Sequence, residues 1–363
     1  MKALVVGGGG PTGSHIVAGL RARGYQTAVL NRGVHPVDLP DDVERIVGDP
    51  HFLGPLADAI GPRSFDLVVG SYGRLAVLAE AFAGRAGRFI GVGGWVSYRG
   101  FFEPQANHPA GLPVPTPETW PLVTDPEEHR FAALVAAAEQ AVFRHHPDGT
   151  VFRYPYVYGP RQLVPREWSV VRRVLDGRRT IAAIHGGLGL MTHGYAENLA
   201  HTILLAVDNP RTSAGKAYNC GDDVQLDLRQ FIEVAAGALG AKLEVIPIPD
   251  TPALHALSFT RSGHHRLMDT SRIRADLGYR DLVPSVEAVA RTARWYADHP
   301  LERGGEIERK MFDFFDYAAE DRLTALYRDF EAQAAALPAR PMHDIHPYAH
   351  PDAAGTGRDQ RGR

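Results

Sequence analysis

Residues 2–6 read KALVV and run directly into Gly7-Gly8-Gly9-Gly10-Pro11-Thr12-Gly13, after which the chain takes helical spacing up to Gly24. A short apolar strand, a glycine run and a helix, in that order, leave few folds open. Gly7, Gly10 and Gly13 recur every three residues, and Gly8, Gly10 and Gly13 also fit GxGxxG. Small residues permit the tight turn, let the backbone approach a pyrophosphate, and let the helix lie close to the strand. The helix start then offers free N–H groups and a positive dipole end to phosphate. The segment therefore reads as a dinucleotide-binding loop, with Gly7, Gly10, Thr12 and Gly13 as its contacts.

Strand and helix then alternate down the chain. Strands are expected at 26–31, 43–47, 65–70, 88–93 and 150–154, with helices over 52–60, 74–86 and 127–146 between them. Short, wholly apolar strands separated by helices imply a parallel sheet covered on both faces. The fold class is α/β: a doubly wound, Rossmann-type sheet with a smaller, interleaved C-terminal α/β substrate domain. Residues 1–158 are assigned to the nucleotide domain, with 196–215 returning to it. Residues 159–195 and 216–337 are assigned to the substrate domain and C-terminal helices, and 338–363 to a flexible tail. Residues 99–126 are rich in Pro and Gly and form a long loop, a length usually tied to function.

The end of the second strand selects the cofactor. A carboxylate there would accept bonds from the ribose hydroxyls of NAD. The chain has Asn31 followed by Arg32, and a guanidinium pairs well with a 2′-phosphate. NADP is expected, with NAD as the alternative.

Composition excludes several other classes. With 39 Lys+Arg against 42 Asp+Glu the net charge is −3, so nothing marks a nucleic-acid surface. The single cysteine, Cys220, allows neither an intrachain disulfide nor a cysteine zinc site. The His residues in 343–350 and the His264-His265 pair give no convincing ligand set, and no metal is expected. Neither a signal peptide nor a membrane-spanning segment is recognisable. The expectation is a cytoplasmic protein acting on a small molecule, with a homodimer allowed.

Several stretches together resemble the extended branch of the short-chain dehydrogenase/reductase superfamily, the NAD-dependent epimerase/dehydratase proteins. GGGGPTG looks like that branch's cofactor loop, and Gly48-Asp49 is similar to its adenine-contacting Asp. RYPYVYGPR (153–161), THGYAENLA (192–200), KAYNCGDD and MDTSRIRADLGY resemble later family segments in the right order. The last of these looks like a substrate-domain helix. The resemblance implies a Rossmann fold over about residues 1–300. It adds Asn31, Arg32, Asp49, Ser71, Tyr72 and Tyr156 to the cofactor contacts.

One family feature is missing. Members normally carry Tyr-x-x-x-Lys on the helix after the long loop, and a Ser or Thr near the end of strand five. Aligned on Glu139, those places hold Phe131 and Val135, and Gly94 stands where the hydroxyl belongs. The only lysines are Lys2, Lys216, Lys242 and Lys310, so no shift of alignment within the nucleotide domain restores the pair. Loss of a general acid costs about 10²–10⁴ in rate. The resemblance thus narrows to an atypical member. Tyr98, just past strand five, is the candidate replacement proton donor, and proton transfer from the substrate or a water is the other route. Trp95, Phe101, Phe102 and Trp168 suit a flat or apolar substrate. The function expected is an NADPH-dependent, ketoreductase-like oxidoreductase, a carbonyl reducer of specialised metabolism. The alternatives are a non-catalytic NADP-binding or regulatory protein, and an epimerase or dehydratase acting on a sugar-like substrate.

Overall fold

The computed structural model describes residues 1–34, 39–71, 73–257, 262–338 and 354. Its first half is built as the alternation demands. The elements are β1 (Lys2–Val6), α1 (Gly13–Ala22), β2 (Gln26–Asn31), β3 (Glu44–Val47), α2 (Leu53–Ile60), β4 (Leu67–Gly70), α3 (Leu75–Ala81), β5 (Phe89–Gly94), α4 (Pro126–His145) and β6 (Thr150–Tyr154). Strand residues alternate between two cores. Ala3 and Val5 join Ile16, Leu20, Leu199 and Ile203 on one face. Leu4 and Val6 join Leu75, Leu78 and Val142 on the other. With both faces covered by helices, no strand position needs to be polar, which is why these strands read as apolar runs.

The remaining elements are β7 (Tyr156–Tyr158), α5 (Glu167–Leu175), β8 (Thr180–Ile184), β9 (His193–Tyr195), α6 (Ala196–Asp208), α7 (Pro210–Ser213), β10 (Lys216–Asn219), α8 (Leu228–Gly237), β11 (Glu244–Ile248), α9 (Ser271–Leu277), α10 (Ser285–Asp298), α11 (Glu306–Arg309) and α12 (Tyr317–Ala335). The main sheet has seven parallel strands in the order β10-β6-β5-β4-β1-β2-β3. Chain order reverses between β1 and β4, and ligands of such sheets bind in the crevice at that reversal. Two smaller parallel pairs, β8 with β11 and β7 with β9, serve the second half. A separate core there unites Val170, Val171, Phe231, Ile232, Val289 and Tyr296 from α5, α8 and α10.

Two expected placements need correction. Lys216–Asn219 pairs with β6 and completes the main sheet, so it does not belong to the substrate domain. Ile273 and Leu277 of α9 pack into the core of the nucleotide domain beside Ala3 and Leu199, so that helix is not a substrate-domain helix. Both segments follow long excursions, and sequence order alone cannot say to which core a chain returns. The expected tail over 338–363 lies, apart from residues 338 and 354, outside the described residues. Among the described residues no helix is long and apolar enough to cross a membrane. Nor does any group of three His, Cys, Asp or Glu among them come together to hold a metal.

Candidate active site

The glycine loop crosses the reversal point. Gly7 has φ +93°, a left-handed conformation that only glycine adopts without strain. A Cβ on Gly13 would stand 2.6 Å from the Gly8 Cα, so only hydrogen fits where α1 begins beneath the loop. No side chain caps the first turn of α1. Apart from the Gly13 amide, which donates to the Gly10 carbonyl at 3.0 Å, its first-turn donors therefore remain available to an anion. Thr12 is buried at the helix entrance. Ser71 closes the other side, with its Oγ donating to the Val6 carbonyl at 2.8 Å.

A cleft of about 300 Å³ opens above this loop, lined by Gly7, Gly10, Thr12, Asn31, Arg32 and Ser71 and, from the far side, by Tyr154, Val157, Gln162 and Leu163. A wider surface depression of about 660 Å³ lies elsewhere, among Asp222, Asp269, Arg274 and Arg280, and shares none of these residues. Asn31 Oδ1 accepts from the Gly33 amide at 3.0 Å, while its Nδ2 is buried with no partner. A buried, unpartnered donor is unusual and calls for a ligand or water. No carboxylate lines the cleft among the described residues. These features fit a phosphate-bearing dinucleotide.

The other predicted contacts are more scattered. Asp49 follows β3, outside the cleft lining, and the hydrogen bonds from His51 hold its carboxyl below the usual range. Tyr72 lies outside the described residues. Tyr156 is turned away from the cofactor cleft: its hydroxyl donates to the Val164 carbonyl at 2.7 Å and accepts from the Arg166 amide at 2.9 Å.

Tyr98 is likewise engaged. It is 1% exposed. Its hydroxyl donates to Asn219 Oδ1 at 2.7 Å and accepts from Arg153 Nη1 at 2.7 Å. Arg153 in turn holds Glu139 through two bonds of 2.9 and 2.6 Å. Burial pushes the Tyr98 hydroxyl up to about 12, against the opposing pull of Arg153. A proton donor must reach the reacting oxygen, and this hydroxyl reaches a buried network instead. Trp168 is on α5 in the core, away from any loop, and its Nε1 donates to Glu308 at 2.6 Å.

Where a Tyr–Lys pair would stand, α4 is apolar. A Cβ on Gly94 would lie 3.9 Å from Val135, so Val135 does face the end of β5. Phe131 is 55% exposed and packs edge-on to Phe102.

The sequence reading missed the arginines. Arg153 interrupts the apolar run TVFRY, and a charge inside a fully buried strand is a signal that it has a built partner. Arg166 stands over the Tyr156 ring, its Cζ 3.8 Å from the centroid, with Nη1 at 2.9 Å from Met191 Sδ. Arg266 lies 4.4 Å over the Phe101 ring. His193 stands edge-on to Tyr156. Burial, and then the charge of Arg166, lower its pKa to about 3, so the ring is neutral at physiological pH.

Comparisons with known proteins fall into one group. The model of the NAD dependent epimerase/dehydratase family matches residues 113–221. The chain is 27% identical over 312 residues to a 3-diazoavenalumate denitrifying reductase of a Streptomyces species, covering 78% of this chain and 97% of that protein. It is 29% identical over 263 residues to a 2-alkyl-3-oxoalkanoate reductase of Stenotrophomonas maltophilia strain K279a, covering 66% and 76%. Among solved structures, it matches a dTDP-glucose 4,6-dehydratase from Streptomyces venezuelae with bound NAD, at a TM-score of 0.61 and 23% identity, over 82% of this chain and 97% of that one. A UDP-galactose 4-epimerase matches at a TM-score of 0.63 and 18% identity, over 83% and 100%.

Proposed function

We propose that this chain, which resembles the extended short-chain dehydrogenase/reductase proteins of the NAD dependent epimerase/dehydratase family, is an NADP-dependent reductase of a small organic molecule. The observation that carries the cofactor choice is the β2 end: Asn31 and Arg32 line the cleft, no carboxylate is among its lining residues, and Asp49 acts on Arg32 only from outside that lining. The glycine loop and the start of α1 would take the pyrophosphate, Arg32 the 2′-phosphate, and Asn31 Nδ2 the adenosine ribose. Held there, the cofactor would supply a hydride to a substrate near the ends of β5 and β6. Val135 and Gly94 face each other on that side and carry no group that moves a proton.

Carbonyl reduction is the first form of this reading, supported by likeness to a 2-alkyl-3-oxoalkanoate reductase. The alkoxide that forms then takes its proton from substrate or water, since Tyr98 is tied to Arg153 and Asn219. The apolar α4 favours a second form. A diazonium-type carbon–nitrogen group accepts hydride at its terminal nitrogen to give a diazene. The carbon–nitrogen bond then breaks, dinitrogen leaves, and the hydrogen ends on carbon. No acid from the protein enters the balance. Likeness to a reductase named for a diazo substrate supports this form.

Calorimetric titration of the full chain with NADP⁺ and with NAD⁺ tests the cofactor reading. NADP⁺ is expected to bind more tightly by about tenfold or more, the worth of one charged contact to phosphate, and Arg32→Glu is expected to reverse the order. Equal affinities in the wild type would sink the reading.

A further inference from the structure

Four buried or half-buried arginines of this protein fall into two kinds. Arg153 and Arg173 meet carboxylates directly, Glu139 in one case and Asp313 with Glu320 in the other. Arg166 and Arg266 meet none: among the described residues neither forms an ion pair. Each lies on an aromatic ring instead. The acidic groups nearest to them are otherwise engaged or poorly charged. Asp250 accepts from His255 Nε2 at 2.8 Å and from the Gly263 amide at 2.7 Å. Glu167 is wholly buried with both oxygens unpartnered, and burial raises its pKa to about 7.

The two arginines also share a neighbour. Arg166 touches Met191 through its side chain, and Arg266 pairs with Met191 through the backbone. Burial lowers the Arg266 pKa to about 10, and the charge of Arg166 acts in the same direction. Two like charges held together away from bulk water repel each other. Asp250 acts on Arg266 and Glu167 on Arg166 without forming an ion pair with either guanidinium among the described residues, which leaves both open to an anionic ligand.

The walls around them are apolar. Trp95, Phe101 and Met191 form one cluster against which Tyr156 packs, and Trp95 and Phe101 meet edge-to-face at 4.9 Å. Trp95 directly follows β5, and Tyr156 opens β7 with one residue between it and the end of β6, so the cluster sits at the ligand end of the sheet. A sugar needs hydrogen-bonding partners for its hydroxyls. Here the Tyr98 and Tyr156 hydroxyls are both occupied, and His193 is buried among rings.

We infer that Arg166 and Arg266 form the carboxylate-binding end of the substrate site, and that the substrate is a flat, apolar-bodied organic acid rather than a nucleotide sugar. The inference rests on the reductase reading only for the site's use in turnover; the binding itself is separate. Guanidinium planes match a carboxylate bidentately. Aromatic faces behind them support the rest of a conjugated acid.

The test is calorimetric titration of the full chain, with and without NADP⁺, using trans-cinnamate, its methyl ester and UDP-glucose as probes. Cinnamate is expected to bind more tightly than the ester and UDP-glucose. Arg166→Gln and Arg266→Gln are each expected to weaken cinnamate by about 10- to 100-fold, while NADP⁺ binding and the melting temperature stay near wild type. Arg266→Lys restores only part of the loss. Equal binding of acid and ester, or preference for UDP-glucose, by the wild-type protein would overturn the inference without relying on any variant's folding. So would variants that bind cinnamate like the wild type. Cinnamate binding without NADP⁺ binding would overturn the reductase reading and leave this site standing; NADP⁺ binding with no acid binding would do the reverse.

Discussion

Arg173 and Arg266 are the same residue type in the same half of the molecule, yet they are solved in opposite ways. Arg173 is 1% exposed. Its Nη1 donates to Asp313 at 2.5 Å and its Nε to Glu320 at 3.1 Å. Burial by itself would lower its pKa, and the two carboxylates hold it above the usual range instead. Glu320 also accepts from the Ala182 amide at 2.9 Å, so α12 is tied to β8 through that one cluster. Arg266 is half-buried on a ring, with no carboxylate paired to it among the described residues. A charge with its counter-charge supplied by the chain is structural. A charge left without one is kept for something the chain does not contain.

The largest expected effect breaks the structural kind. Asp313→Ala leaves Arg173 short of a buried counter-charge and should cost about 3–5 kcal/mol, seen as a lower denaturant midpoint and release of α12. Glu167 tests the same idea from the acidic side. Its folded-state pKa of about 7 lies above its ordinary value. The native state therefore holds the proton longer than the unfolded chain, and stability falls as pH rises from about 4.5 to about 7. Glu167→Gln should shrink the drop in unfolding free energy between about pH 4 and about pH 8 by about 3 kcal/mol. An unchanged pH profile would mean that the carboxyl is not isolated.

Tyr98→Phe comes next. It removes one bond each from Arg153 and Asn219 and should lower stability by about 1–3 kcal/mol. Turnover should nevertheless escape the loss of about 10²–10⁴ that removal of a general acid brings; such a loss would restore Tyr98 as proton donor. The smallest effect sharpens the contrast. Arg266→Gln gives up only a ring contact and should change stability by about 1 kcal/mol or less. A cost as large as that of Asp313→Ala would show Arg266 to be structural after all.

These two solutions differ in how far the sequence reveals them. The nucleotide half was legible because its determinants are local. Gly7 directly follows β1 and Gly13 opens α1, and the strands announce themselves as apolar runs. The substrate half is built from partners far apart in the chain. Arg173 meets Glu320 across 147 positions; the nucleotide half has one such pair as well, where Tyr98 meets Asn219 across 121. Tyr98 was placed correctly after strand five, but its burial against Arg153 depends on where β6 and β10 return. The three-residue strands β7 and β9 escaped notice because such a length carries no periodicity to read.

Residue order alone was enough for the doubly wound sheet, the glycine loop at its reversal point, the Asn31-Arg32 end of β2 and the absence of any lysine between Lys2 and Lys216. Each depends on residue type and short spacing, which steric and dipole effects translate directly into local geometry. Which arginines are paired emerged from the folded molecule and from nothing simpler. Whether a guanidinium is structural or open to a ligand depends on what lies within about 3 Å of it, and that is set by the packing of distant segments.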